Sequence, residues 1–114
     1  MKKLKNIFIE SIIKFKLIME WKYKDFCDWI KKGCDTEEGL NVMILNCYGN
    51  NLTVLPSEIG LLRNLKKLNF TDNNLTVLPP EIGLLRNLEE LHCSWNKLKV
   101  LLPEIGLLQN LEYL

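Results

Sequence analysis

The sequence predicts an α/β repeat fold, a row of stacked coils in which each coil is one short strand followed by an outer turn of helix. Three observations predict it. One 23-residue phrase recurs without a break, as VMILNCYGNNLTVLPSEIGLLRN over 42–64, LKKLNFTDNNLTVLPPEIGLLRN over 65–87 and LEELHCSWNKLKVLLPEIGLLQN over 88–110, and a fourth copy opens at Leu111. Within each copy, apolar residues alternate over a strand's length and then meet an asparagine. The second half of each copy carries Glu-Ile-Gly with a proline just before it. A fixed period of about 20–29 residues means that each unit hides its apolar side only by stacking on a neighbour.

In chain order, residues 1–20 are a basic amphipathic segment. Met1–Lys5 is basic and an apolar run follows, but Glu10, Lys14 and Lys16 interrupt it and no small-residue cleavage site comes after, so neither a secretory leader nor a membrane span is expected. Leu4, Phe8, Ile12, Phe15 and Met19 recur at helical spacing, while Ile13 to Tyr23 nearly alternate. The absence of Gly and Pro favours a helix over about 5–19, with poor order as the alternative.

Residues 21–41 read as a helical N-terminal cap and a loop. Phe26, Trp29 and Ile30 share one face of a helix over Asp25–Lys32, and Lys31, Lys32 and Gly33 form its stop. With Trp21, this apolar face is placed to cover the open side of the first repeat. Cys34–Leu40 reads as a polar loop.

Residues 42–114 are the repeats, three full and one truncated. Val42, Leu45, Cys47, Asn50 and Leu52 set the frame; Leu65, Leu68, Phe70, Asn73 and Leu75 repeat it, as do Leu88, Leu91, Cys93, Asn96 and Leu98. The alternation marks a strand with one buried face. Asn50, Asn73 and Asn96 come where the chain turns off the strand, and three amides in register predict a structural ladder, each serving the turn stacked beside it. Pro56, Pro79 and Pro80 forbid a central strand and send the chain to the outer side. Ile59, Ile82 and Ile105 then point inward with Leu62, Leu85 and Leu108, while Gly60, Gly83 and Gly106 allow a tight bend or close backbone contact. In the third copy Leu101-Leu102-Pro103 replaces the Leu-Pro-x order, so a local difference in that outer turn is expected.

The frame L-x-x-L-x-L-x-x-N-x-L with L-P-x-E-I-G-x-L resembles the leucine-rich repeat family, in its 23-residue intracellular class, similar to Ras-pathway scaffolds and plant Ras-group relatives. The resemblance covers Val42 to Leu114. It implies a right-handed leucine-rich repeat solenoid with a concave parallel β-sheet, and docking of a protein partner on that sheet.

Charge is lopsided. Residues 1–32 hold nine lysines against four acids, a balance of +5, and the remainder holds six bases against ten acids, a balance of −4. The basic head supports an alternative role as a peripheral membrane or nucleic-acid adaptor, although a solvated surface with no nucleic acid bound is the plainer expectation. Cys47 and Cys93 stand two strands apart, about 10 Å, beyond the roughly 7 Å a disulfide spans. They read as free core thiols in a reducing, cytoplasmic setting, with a Cys27–Cys34 bridge as the rival for the other two.

No catalytic, cofactor or metal site is expected. His92 and Cys93 are consecutive on a strand and face opposite ways, the glycines are isolated, no paired zinc-ligand spacing occurs, and Glu58, Glu81 and Glu104 recur every 23 residues as parts of the repeat. The chain therefore reads as a non-enzymatic binding module, or as the targeting portion of a larger enzyme continuing past Leu114. Four outward columns form its read-out surface: Ile44, Lys67, Glu90 and Tyr113; Asn46, Asn69 and His92; Tyr48, Thr71 and Ser94; and a rim of Gly49, Asp72 and Trp95. The partner-contact candidates are Tyr48, Lys67, Asp72, Glu90, His92, Trp95 and Tyr113, because aromatic anchors dominate interface energetics. The truncated copy leaves the far edge uncapped, to be met by further sequence or by another chain, self-association included.

Overall fold

A computed structural model describes residues 20–99 and 102–112. The expected helix over 5–19 and the candidate Tyr113 lie outside the described residues. The elements are β1 (Glu20–Lys22), α1 (Tyr23–Lys31), α2 (Thr36–Leu40), β2 (Ile44–Asn46), the 3₁₀ turn η1 (Ser57–Leu61), β3 (Lys67–Asn69), η2 (Pro80–Leu84), β4 (Glu90–His92) and η3 (Pro103–Leu107). The strands form one parallel sheet in the order β1-β2-β3-β4.

The alternation that marked the strands places Leu45, Leu68 and Leu91 opposite one another on adjacent strands, all three buried. Behind them Ile59, Leu62, Leu65, Ile82, Leu85 and Leu88 are also buried. Each fully buried aliphatic side chain contributes about 1.5–3 kcal/mol relative to exposure, so the rows of the repeat form one continuous core. Cys47 lies in it and Cys93 is half-buried; all four cysteines are free thiols, Cys27 and Cys34 among them. Among the described residues, no helix is long and apolar enough to cross a membrane.

From Leu102 onward the third outer turn follows the same backbone course as the other two, so the deviation expected there does not reach η3. Leu102 stands before η3 at φ −70°, ψ 148°, where Pro79 stands before η2 at φ −67°, ψ 141°. The proline that follows, Pro103 or Pro80, forces its predecessor into an extended conformation, so Leu102 needs no ring of its own to enter the turn. The glycines here serve close contact rather than a bend. A Cβ on Gly60 would lie 2.9 Å from the Glu81 Cβ, and one on Gly83 would lie 3.0 Å from the Glu104 Cβ.

The leading segment departs from expectation in two ways. It contributes a strand: β1 runs across the expected boundary at residue 20 and pairs with β2, Trp21 opposite Leu45, with Trp21 buried and its neighbours exposed. The stretch read as a polar loop contains α2. Asp35 starts that helix by accepting the Glu38 N–H at 3.0 Å, and its carbonyl accepts the Trp29 indole N–H at 2.9 Å. α1 begins at Tyr23, two residues before the expected start, with the Lys22 N–H held by the Asp25 carboxylate at 2.9 Å. Phe26 and Trp29 are buried and Ile30 packs against them. Trp29 has its ring 5.7 Å from Trp21 and 6.1 Å from Phe26, and fills the space a Cβ on Gly39 would enter.

Candidate functional site

The sheet has one buried face and one open face, and the open face carries the columns expected of it. Pairing puts Glu20, Ile44, Lys67 and Glu90 in one row and Lys22, Asn46, Asn69 and His92 in the next. β1 thus adds Glu20 and Lys22, which the repeat pattern alone did not supply. The ladder continues past the strand ends: the Gly49 N–H donates to Thr71 O, Asp72 N–H to Ser94 O and Asn73 N–H to Trp95 O. Tyr48, Thr71 and Ser94 follow as a third row, with Gly49, Asp72 and Trp95 beyond.

Of the contact candidates, Lys67, Glu90 and His92 are partly exposed and Asp72 is exposed. Tyr48 is 58% exposed and Trp95 81%. His92 Nε2 lies 3.5 Å from Glu90 Oε1 and has no hydrogen-bond partner among the described residues. The side-chain oxygens of Asn46 and Asn69 are each engaged within their own turns. Each accepts the N–H two residues on, from Tyr48 at 3.0 Å and Thr71 at 2.9 Å, and so fixes the strand exit.

The rim row has a backbone property that its composition hides. Gly49, Asp72 and Trp95 have φ of 65°, 58° and 57°, the left-handed region. Glycine enters it freely and aspartate tolerably, whereas a bulky side chain there costs about 1–2 kcal/mol. Trp95 is therefore both exposed and strained.

The turn asparagines divide. Asn73 is buried; its Oδ1 accepts the N–H groups of Asn50 and Leu52 at 3.0 and 2.9 Å, and its Nδ2 donates to the carbonyls of Cys47 and Phe70. Asn96 likewise accepts from Leu75 and donates to Phe70 and Cys93. Asn50 breaks the expected ladder. It is exposed, and among the described residues its Nδ2 donates only to Tyr48 O in its own turn. The ladder reaches backward, and before Asn50 the chain runs from β1 straight into α1, leaving no turn to hold. A second ladder was missed by sequence reasoning: Asn64, Asn87 and Asn110 donate to the carbonyls of Leu40, Arg63 and Arg86. Their recurrence as the last residue of every copy was the available signal.

Where α1 meets the first turn, Lys22, Tyr23, Lys24, Asn46, Tyr48 and Asn50 line a cleft of about 330 Å³. Beneath it, burial and a hydrogen bond to Cys27 push the Tyr23 phenol up to about 12, and burial with Cys27 nearby pushes the Cys47 thiol up to about 12. Both stay protonated and neutral in ordinary buffers. Among the described residues no three His, Cys, Asp or Glu side chains group as a metal site would require.

Residues 64–85 and 87–113 match the family model described as Leucine Rich Repeat. The chain belongs to the leucine-rich repeat family. Among solved structures it is similar to a leucine-rich repeat protein of Leptospira interrogans, at 48% identity and a TM-score of 0.66, over 69% of this chain and 20% of that one. This leucine-rich repeat chain thus spans about a fifth of that protein's length. No curated protein matches it. Proteins of the family generally act in protein–protein interaction.

Proposed function

We propose that this chain is a non-enzymatic docking module that takes a protein partner across the open face of its sheet. The observation that carries the reading is Trp95, a large aromatic held outward in a strained backbone conformation at the end of that face. Strain of this kind points to a role when it is found at a surface built to be read. Lys67, Glu90, His92 and Asp72 supply a mixed polar surround that sets orientation more than affinity, and Tyr48 supplies a second anchor. In this reading the coils wind right-handed, as nearly all parallel crossovers do, so the sheet lines the concave side. β1, α1 and α2 act as the N-terminal cap. Four free thiols suit a reducing, cytoplasmic setting.

The test is comparative capture from the source organism's lysate with wild type, Trp95→Ala, and Val54→Ser as a control outside the sheet face. The expected result is a protein retained by wild type and the control and lost by Trp95→Ala, with unchanged melting. Equal retention by all three removes Trp95 and with it the reading.

A further inference from the structure

We propose that the cleft between α1 and the first turn binds a short acidic peptide. The inference rests on the protein-docking reading and names a partner chemistry at one end of the same face.

Elsewhere in this chain a turn asparagine holds the backbone that passes beside it. Asn73 Oδ1 takes two N–H groups spaced two residues apart, those of Asn50 and Leu52, while its Nδ2 reaches the Cys47 carbonyl on the same passing chain. Asn96 takes the Leu75 N–H and gives to the Phe70 carbonyl in the same manner. At this position the side chain reads backbone lying beside the turn, on its N-terminal side. The two N–H groups converge on one oxygen because Asn51 between them is left-handed, at φ 54°, so what the side chain reads is the backbone N–H groups of a passing segment. Asn50 holds the equivalent position with no neighbouring turn to read. Among the described residues its Oδ1 accepts nothing, and its Nδ2 is used only within its own turn.

The space beside Asn50 is the cleft itself. Its volume of about 330 Å³ is at the small end for ligand sites, right for a short length of chain rather than a folded body. Among the described residues its lining includes Lys22 and Lys24 and no acid. Neither ammonium group is ion-paired among the described residues, and Tyr48 forms one wall. Charge selects the occupant. Two ammonium groups favour carboxylates, and the chain's own residues 1–19 carry Lys2, Lys3, Lys5, Lys14 and Lys16 against Glu10 alone. That segment has the wrong sign, so the occupant comes from another polypeptide. Its backbone N–H groups meet Asn50 Oδ1, its side-chain carboxylates meet Lys22 and Lys24, and its apolar atoms lie on Tyr48.

The experiment titrates the intact chain with a fluorescein-labelled alternating Glu/Thr peptide, read by anisotropy and by amide correlation spectra. Saturable binding is expected, with the largest shifts at the Asn50 side-chain amide and the Tyr48 N–H. Lys22→Glu with Lys24→Glu should weaken it about tenfold or more, and Asn50→Ala about fivefold, one hydrogen bond's worth. Lys97→Glu with Lys99→Glu, an equal change of charge at exposed sites elsewhere, should leave it unchanged, as should Trp95→Ala. Asn50 is exposed and outside the ladder, so its variant folds even if the lysine pair does not. Equal loss in the Lys97/Lys99 control, an inert Asn50→Ala, or shifts outside the cleft would overturn the proposal. So would tighter binding of inorganic phosphate, phosphatidylglycerol vesicles or polyuridine RNA. If the peptide fails while Trp95→Ala still loses its protein, the cleft falls and the docking face stands.

Discussion

Replacing each turn asparagine with alanine turns the ladder into a measurable gradient. Asn73 makes five hydrogen bonds, Asn96 four and Asn50 one. The count overstates the difference, because some partners keep a second donor. Without the Asn73 side chain, Phe70 O still has Asn96 and Thr71 O still has the Gly49 N–H. The groups left bare are the N–H of Asn50, the N–H of buried Leu52 and the carbonyl of buried Cys47. At about 1–3 kcal/mol for each orphaned buried group, with water relieving exposed Asn50, Asn73→Ala should destabilise by about 3–6 kcal/mol. That is a large part of the 5–15 kcal/mol typical of a folded domain. Asn96 is half-buried, and its loss strands the N–H of buried Leu75 and the carbonyl of half-buried Cys93, for about 2–4 kcal/mol. Asn50→Ala removes one exposed local bond and should stay within about 0.5 kcal/mol. Asn73→Asp should not rescue, since it keeps the acceptors but points a charge at three carbonyls. Urea unfolding at constant m-value is the assay. A loss at Asn50 equal to that at Asn73, or a loss below about 1 kcal/mol at Asn73, would refute the backward-reaching ladder.

Three further outcomes are expected. Gly60→Ala places a methyl 2.9 Å from the Glu81 Cβ and 3.1 Å from its carbonyl oxygen, whereas Gly106→Ala meets nothing within 4 Å among the described residues. The first should destabilise by about 1–3 kcal/mol through overpacking, and the second should stabilise by about 0.4–1 kcal/mol by restricting the unfolded chain; paired thermal melts check the opposite signs. Cys47 ordinarily ionises near 9.0 but at about 12 in the folded chain, so above pH 9 the unfolded state gives up a proton that the folded state keeps. The Cys47 contribution should be level below pH 9 and fall by about 1.4 kcal/mol per pH unit above it, with Tyr23, raised from 10.0 to about 12, adding to the fall above pH 10; Cys47→Ala should reduce the slope between pH 9 and pH 10 in pH-dependent urea titrations. Trp95→Gly should relieve the left-handed strain of about 1–2 kcal/mol, less the added flexibility of glycine, and raise the melting temperature by a few degrees while abolishing partner capture; a drop in both would show that Trp95 supports the fold.

What could be read from the sequence is what repeats. Leu45, Leu68 and Leu91 form one row because a 23-residue period leaves no other way to bury them, and Asn73 and Asn96 sit in the ladder for the same reason. β1 could not be read that way. Trp21 lies within a short alternation bounded by no turn signal, and what makes it a strand is tertiary pairing with Leu45. α2 was hidden by its polarity: Thr36, Glu37 and Glu38 describe a loop until Asp35, the Trp29 indole and the Asn64 amide are seen holding both ends. Asn50 was misassigned because a periodic pattern records that a residue recurs and omits what lies before its first occurrence. The columns of the open face were legible in full across the described repeats, since side-chain direction follows from strand alternation alone. The backbone state of its rim was not.

That rim separates two residues the sequence treats alike. Tyr48 and Trp95 are both exposed aromatics near a strand exit, but Tyr48 takes an ordinary backbone position and its exposure perturbs nothing. The position of Trp95 is one the coil demands be left-handed, as Gly49 and Asp72 show; the next residue's N–H must be free to enter the ladder, as that of Asn73 does toward Trp95 O. Glycine, asparagine or aspartate meets that demand with little strain, so the fold itself supplies no reason for tryptophan. Nor does packing, with 81% of the residue in solvent. In the docking reading proposed above, a side chain that strains its backbone and leaves its ring in solvent is the one expected to meet the partner. On that ground Trp95 outranks Tyr48 as the anchor of the docking face, and its removal should weaken capture by the larger factor.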